Sequence, residues 1–307
     1  MTTAADQILD DLTAGIDRRP IAPALIAARS QILAVAERLR AIPDTALTTP
    51  WPWRPEGEEE LRYGFYRIGE LLEVAGIDAA TAVRRAGIER GRAADLIAPA
   101  MAARWDLEGI LLGIPEALWD AEPGGEEWSI RITMGHTIGG QRAYAVGSSW
   151  WLQQGFTPSD PALPKQTPDA LWEPLPTEDD EAIGAPAVVR AHLGHVLDQS
   201  IERLAGLPQG RLAVGARWSG FAVDIDFRLS RWASHIREHT IQVEKTLEML
   251  GHRPTEVDRL VRLILAAWGR AEVEVVGRQA GDGDVEPLAA AAAEAARVAA
   301  AIRSLAG

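Results

Sequence analysis

The chain has no cysteine among its 307 residues. Disulfide bonds, cysteine-ligated zinc sites and a cysteine nucleophile are therefore excluded, so any thiol chemistry must use a thiol supplied by a small molecule. No stretch of 18 residues lacks charged side chains, and we expect no membrane-spanning helix. The first residues, MTTAADQILDDL, are polar and acidic, which argues against a secretory signal and predicts a cytoplasmic location.

Basic residues are also scarce. The chain has 31 Lys and Arg against 44 Asp and Glu, which gives a net charge of −13. Nucleic acids and anionic membranes are bound through clustered basic side chains that neutralise phosphates. The sequence therefore predicts neither a nucleic-acid partner nor a membrane partner. It leaves the oligomeric state open, a homodimer included.

Segments with the alternating pattern of a β-strand are lacking, whereas helix-forming residues such as alanine are abundant. The sequence therefore predicts an all-α fold. Six prolines within residues 154–183 exclude a continuous helix there and predict a long crossover loop. Residues 51–55 are predicted to be a short loop. Helices are predicted at about residues 22–41, 58–75, 78–87, 92–113, 128–153, 185–205, 225–250, 255–276 and 286–305.

Three histidines carry the strongest chemical signal. His235 and His239 are four residues apart and therefore lie on one face of a helix, and His136 ends the segment WSIRITMGH. Each lies on an apolar stripe, which predicts that all three imidazoles point into the core, where an unpartnered polar group costs about 1–3 kcal/mol. Three neutral imidazoles could share one metal ion and leave a coordination position open, as in a catalytic site. On spacing alone, a solvated or capped histidine pair is an equal alternative.

The residues around these histidines resemble the DinB/YfiT-like family of four-helix bundles, which includes the mycothiol-dependent maleylpyruvate isomerases. In that family a Trp-Ser pair opens helix 2 and a histidine follows two turns later, as Trp128, Ser129 and His136 do here. Helix 4 of the family carries HxxxH, or ExxxH in the isomerases, and His235 and His239 match the first form. The resemblance implies that the three histidines hold a divalent metal, Zn²⁺ or Ni²⁺.

The resemblance covers about residues 90–250 and also implies an activity. Enzymes of the family use their metal to activate a low-molecular-weight thiol such as mycothiol or bacillithiol, and transfer it or use it to isomerise an electrophilic substrate. We therefore predict a metal-dependent thiol transferase or thiol-dependent isomerase. Two alternatives stay open: a metal-dependent hydrolase with Glu238 or another carboxylate as base, and a non-catalytic metal-bearing bundle that binds a small molecule or partner.

Other residues near the predicted site have weaker signals. Gly139 and Gly140, one turn past His136, either leave room for a ligand beside the metal or allow close helix packing. His192 and His195, three residues apart, are predicted to be a solvated surface pair. Three tryptophans are expected to pack the core and wall the pocket, namely Trp105, Trp128 and Trp232. Polar groups are expected at the edge of the site, namely Arg142, Tyr144, Arg231, Glu238 and Gln242.

The predicted organisation has three parts. Residues 1–90 form an N-terminal helical region, residues 91–251 the DinB-like metal-binding bundle, and residues 252–307 a C-terminal helical pair. A weak internal repeat, IPDTAL…EEL and IPEAL…EEW, aligns Gly69 with His136. Two arrangements of the terminal helices fit: a second, degenerate bundle without the metal, or a cover on the outside of the first bundle.

Overall fold

The described residues are mainly helical with two small hairpins, which confirms the predicted all-α fold. The structure, a computed structural model, describes residues 4–54 and 57–306. Its helices are α1 (Ala4–Leu12), α2 (Pro23–Arg40), α3 (Arg62–Arg85), α4 (Arg92–Ile97), α5 (Pro99–Leu111), α6 (Ile130–Gln154), α7 (Glu178–Glu181), α8 (Pro186–Leu204), α9 (Ile225–Met249), α10 (Glu256–Glu272) and α11 (Glu286–Ala306). Two antiparallel hairpins interrupt them, β1 (Pro50–Arg54) with β2 (Gly57–Glu60) and β3 (Gly215–Trp218) with β4 (Phe221–Asp224).

Helices α5, α6, α8 and α9 form the bundle that contains the three histidines. Each of α5 and α6 packs against both α8 and α9. The hydroxyl of Ser129 accepts a hydrogen bond from the amide of Ile132 at 3.3 Å, which caps the N-terminus of α6. The carboxylate of Asp224 accepts from the amide of Phe227 at 2.8 Å and caps α9 in the same way. These caps set where both histidine-bearing helices begin.

Helices α2, α3, α10 and α11 form a second bundle with the same packing pattern. Each of α10 and α11 packs against both α2 and α3. Of the two arrangements that the sequence leaves open, the structure therefore has the second bundle. The hairpin β1–β2 joins α2 to α3 as β3–β4 joins α8 to α9, so α3 corresponds to α9 in this arrangement. The alignment of Gly69 with His136, which equates α3 with α6, does not match this correspondence.

The two bundles meet where α5 packs along α10. At this junction Glu272 is fully buried and accepts hydrogen bonds from Trp105 Nε1 at 2.7 Å and from the guanidinium of Arg29. Arg29 also donates to Asp198 at 2.7 Å, which ties the second bundle to α8 of the first. One apolar core runs through both bundles. The boundaries at residues 90 and 251 stay a prediction.

Three local expectations are wrong. Residues 51–54 belong to strand β1 rather than to a loop, and residue 55 lies outside the described residues. The helix predicted at 58–75 begins at Arg62, since residues 57–60 form β2, and it continues through Gly76, which packs directly against Ala271 of α10 where a side chain would not fit. The predicted helix 92–113 is divided at Pro99. The backbone nitrogen of proline carries no hydrogen, so it cannot donate the hydrogen bond that a continuous helix needs.

The segment between α6 and α8 crosses the bundle as predicted for a proline-rich connection. Leu163 is buried, and Trp172 is half-buried with its indole nitrogen donating to Thr167 at 2.9 Å. The segment ends in the short helix α7, which packs on α6. Thr177 and Asp180 form a reciprocal capping box that begins this helix. Within the described part of the chain, every helix falls short of the length or the apolarity that crossing a bilayer requires.

Candidate metal centre

The structure brings His136, His235 and His239 together between α6 and α9. One nitrogen from each ring lies within 4.8 Å of the others. The Nε2 atoms of His235 and His239 are 3.1 Å apart. The ring centroid of His136 lies 5.4 Å from that of His235 and 4.8 Å from that of His239. With metal–nitrogen bonds of about 2.0–2.1 Å, ligand atoms of one tetrahedral ion are spaced by roughly 3.3 Å, so this cluster could hold a metal ion.

Each imidazole is held at its Nδ1 atom by a different side chain. Nδ1 of His136 lies 2.8 Å from the carboxylate of Glu178 in α7, and Nδ1 of His239 lies 2.8 Å from Oε1 of Gln242. Both partners are acceptors, so both Nδ1 atoms carry the proton and both Nε2 atoms keep a free lone pair. This is the outer arrangement that orients histidine ligands in metal sites.

The third ring, His235, has a different partner. Nε2 of Gln141 lies 3.2 Å from Nδ1 of His235 and donates to the backbone oxygen of Trp232 at 3.3 Å. Oε1 of Gln141 is buried and has no hydrogen-bond partner among the described residues. In this network His235 accepts at Nδ1 and donates its Nε2 proton to His239. A metal ion would take the place of that proton, with the proton moving to Nδ1 and the Gln141 amide turning to accept it.

Burial keeps the two histidines of α9 neutral. Burial, followed by the nearby His239 and His136 and by Arg231, lowers the pKa of His235 to about 3. Burial also lowers the pKa of His239. Metal ions bind neutral imidazole, so both rings are in the ligand form at neutral pH. The burial itself differs from the sequence expectation: His235 is buried, whereas His136 and His239 are half-buried and reach solvent.

These lowered pKa values predict how the stability of the metal-free protein depends on pH. Unfolded histidine titrates near pH 6.5, whereas folded His235 stays neutral to about pH 3. The unfolded chain therefore binds more protons, and the free energy of unfolding falls as the pH is lowered from about 7 to 5, with each such group contributing up to about 1.4 kcal/mol per pH unit. Urea denaturation in the presence of a chelator measures this slope.

A matched pair of variants isolates the contribution of His235. Replacing His235 with Gln should make the slope between pH 7 and 5 shallower, because the titrating group is then absent from both states. Replacing His195 with Gln should leave the slope unchanged, because that side chain is exposed on α8. If the free energy of unfolding depends equally on pH in the wild type and in His235→Gln, the lowered pKa of His235 is contradicted.

The two glycines after His136 have different surroundings. A Cβ atom on Gly140 would lie 2.4 Å from Cε1 of His235, a distance that real side chains do not adopt. A Cβ atom on Gly139 would lie 3.4 Å from Cγ of Glu178, which is ordinary contact. The imidazole of His235 fills the space beside Gly140, which supports the close-packing role there. The ligand-binding role of Gly139 and Gly140 stays a prediction.

The three tryptophans lie in different places. Trp128 is exposed at the start of α6, with its ring centroid 5.0 Å from that of His136. Trp232 is fully buried one turn before His235. Trp105 lies at the junction of the bundles, edge-on to Trp268 at 6.3 Å, and does not wall the histidine cluster. The prediction is therefore wrong for Trp128, which is exposed, and wrong in position for Trp105, whose burial is as expected.

The other histidines lie apart from the cluster. His195 is exposed, as predicted. His192 is half-buried rather than solvated, because its Nδ1 lies 3.1 Å from the backbone oxygen of Glu181 and its Nε2 lies 3.2 Å from the carboxylate of the same residue. Arg142 donates to this buried carboxylate at 2.5 Å, which places it in a structural network beside the site.

Two residues that hold the imidazoles escaped sequence reasoning. Glu178 comes from the proline-rich crossover, whose path has no periodicity to follow. The Thr-x-x-Asp pattern of Thr177 and Asp180 does signal a helix start there, and could have directed attention to α7. Gln141 lies one turn past Thr137 on α6, and its buried amide has no signal in a single sequence.

An acidic cleft adjoins the cluster on the side of α7. It has a volume of about 690 Å³ and shares Glu178 with the histidine site. Its lining residues include Asp120, Glu122, Glu126, Glu127 and Ile132. Glu178 lines this cleft and is bonded to His136, so the cleft adjoins the histidine cluster through that residue.

Comparison with known proteins gives the family of the first bundle. Residues 101–243 match the sequence model of the DinB superfamily, a range that holds all three histidines. No curated protein and no solved structure matches the chain significantly. The matched range begins in α5 and ends in α9 and thus spans the four helices of the histidine-bearing bundle. Residues 101–243 of this chain therefore form a domain of the DinB superfamily.

Proposed function

We propose that the protein is a metal-dependent thiol transferase or thiol-dependent isomerase that holds Zn²⁺ or Ni²⁺ through His136, His235 and His239. The observation that carries the proposal is the convergence of three imidazoles whose Nδ1 atoms are occupied by other side chains. Three protein ligands leave a coordination position for an external group. The proposal includes that this protein is related to the mycothiol-dependent maleylpyruvate isomerases.

The metal would supply Lewis acidity that stabilises a thiol in its thiolate form at neutral pH. Side chains around the histidines would orient the metal ligands. Glu178 and Gln242 fix the orientation of two imidazoles, and Gln141 holds the third. Because the chain has no cysteine, the thiol must be a small molecule such as mycothiol or bacillithiol, and its partner an electrophilic substrate.

The observed carboxylates favour thiol chemistry over hydrolysis. Glu238, the base proposed for a hydrolase, is bound by Arg231 at 2.9 and 3.1 Å. Glu178 is already bonded to His136. A general base for water activation needs a carboxylate free to accept a proton next to the open position. Neither residue meets that condition as placed.

Substitution with Co²⁺ tests the proposal. Titration of the Co²⁺-loaded protein with mycothiol, bacillithiol or a simple thiol should produce a sulfur-to-cobalt charge-transfer absorption. The band should be absent in the His136→Ala variant, and should persist in the His195→Ala variant, which changes an exposed histidine on another helix. If no thiol alters the cobalt spectrum at millimolar concentration, the hydrolase and the non-catalytic binding protein become the better descriptions.

A further inference from the structure

Arg228 is a buried arginine on α9, the helix that carries His235 and His239. Arg228 is 8 % exposed, and it is seven residues before His235 on α9. Its Nε donates to the hydroxyl of Ser148 at 3.1 Å, and its Nη1 donates to the backbone oxygen of Arg217 at 2.6 Å. Its Nη2 has no acceptor among the described residues, although it lies against Gly147 of α6.

The charge of Arg228 has no counter-ion among the described residues. None of the described carboxylates forms an ion pair with it, whereas other buried arginines such as Arg29 and Arg142 have one. Burial lowers the pKa of Arg228 to about 10, which leaves the guanidinium charged at neutral pH. A buried charge without a counter-ion is unfavourable. An anion bound against the guanidinium would offset that cost.

Two further groups lie between Arg228 and the histidines. The guanidinium of Arg228 lies 6.0 Å from the ring centroid of Tyr144, and that ring lies 5.4 Å from the ring of His235. Arg231 stacks on Trp218 at 5.0 Å and its Nη2 is bound to Glu238, which leaves its buried Nε without a partner in the described part of the chain. Burial lowers the pKa of Arg231, but the Tyr144 hydroxyl and Glu238 outweigh this effect and raise it.

The spacing of these groups suits a molecule that reaches from the arginines to the metal position. Arg231 is four residues before His235 and Arg228 is seven, which correspond to about 6 and 10 Å along the helix axis. Guanidinium groups bind carboxylates through paired, charge-assisted hydrogen bonds. The acidic cleft lies on the opposite side, beside α7, so the two sides of the cluster differ in charge.

We infer that Arg228, Arg231 and Tyr144 form a subsite for a substrate carboxylate, about two helical turns from the metal position. The inference rests on the proposed function, because it names the substrate class: a small molecule with a carboxylate at one end and its reacting group at the other. In this role Arg228 is the buried floor of the subsite. Arg231 and Tyr144, both half-buried, are its rim.

The test compares two ligands that differ in one carboxylate. Adipate and hexanoate have the same chain length, and each can present one carboxylate to the metal, but adipate alone carries a second. Calorimetric titration into the Co²⁺-loaded protein should give an affinity for adipate that is at least about tenfold higher. The thiols 6-mercaptohexanoate and 6-mercaptohexanol, read by the cobalt charge-transfer band, should show the same preference.

Substitutions in the subsite test whether its side chains cause the preference for adipate. Arg228→Gln and Arg231→Gln should each reduce the preference for adipate several-fold while leaving cobalt content unchanged. Arg237→Gln, an exposed arginine on the same helix, should leave it unchanged. If Arg228→Gln does not fold, Arg231→Gln and Tyr144→Phe carry the test, since both side chains lie at the half-buried rim.

The outcomes separate this inference from the proposed function. Equal affinities for adipate and hexanoate in the wild type, or a preference that survives both arginine variants, would overturn the subsite. A carboxylate preference without any thiol response of the cobalt spectrum would overturn thiol chemistry and keep the subsite. If the protein binds no cobalt, hexanoate and 1-hexanol are compared on the metal-free protein, where a hexanoate preference that is lost in Arg228→Gln supports the subsite and equal affinities in the wild type contradict it.

Discussion

Replacing His239 with alanine is expected to reduce the bound metal from about one ion per chain to near zero. His239 supplies one of three ligand nitrogens, and its Nε2 lies 3.1 Å from that of His235. Binding energies of protein zinc sites are about 10–16 kcal/mol, so loss of one ligand should cost about 3 kcal/mol, or a hundredfold or more in affinity. Metal analysis after dialysis against a weak chelator measures the loss.

The histidines of α8 provide the control for this result. His195→Ala should keep full metal content, because its side chain is exposed and lies outside the cluster. The double variant of His192 and His195 should also keep its metal, but with lower stability, because His192 contacts the buried carboxylate of Glu181. Full metal occupancy in His239→Ala would contradict the role of His239 as a ligand, and loss of metal from the double variant would place ligands on α8.

The histidine cluster could be predicted because its signals are local. A spacing of four residues sets two rings on one face of α9, and the resemblance of the Trp-Ser start of α6 to the DinB/YfiT-like family adds His136 on the facing helix. Helical periodicity needs no knowledge of the rest of the chain. The same reasoning gave the bounds of α6, α8 and α9 to within about two residues.

Features that depend on distant parts of the chain could not be predicted in the same way. The pairing of α2 and α3 with α10 and α11 joins segments about 200 residues apart, and no single segment carries a signal for it. The hairpin β3–β4 is too short to show an alternating pattern, and its strands have four residues each. Glu178 reaches His136 only because the crossover returns to α6.

The surroundings of the two neighbouring glycines are a further feature that the sequence alone does not predict. From the sequence, Gly139 and Gly140 are equivalent small residues one turn past His136. The structure distinguishes them, because α6 turns Gly140 toward His235 and Gly139 toward Glu178. That difference depends on the rotation of α6 against α9, which periodicity gives only roughly.

Replacing Gly140 with alanine is therefore expected to damage the metal site and the fold together. The new methyl group would lie 2.4 Å from Cε1 and 3.0 Å from Nε2 of His235, so the imidazole must move away from its present position. Overpacking of this kind costs typically 1–3 kcal/mol of stability. We expect lower metal affinity and a lower free energy of unfolding, measured by cobalt titration and by urea denaturation of the metal-free protein.

Gly139→Ala is the matched control, because it makes the same chemical change one position earlier on the same helix. Its methyl group would lie 3.4 Å from Cγ of Glu178, and alanine is favoured over glycine inside a helix by about 1 kcal/mol. We expect unchanged metal affinity and equal or higher stability. If Gly140→Ala binds metal as well as Gly139→Ala does, the ring of His235 does not depend on the absence of a side chain at residue 140. The space there would then be available to a ligand after all.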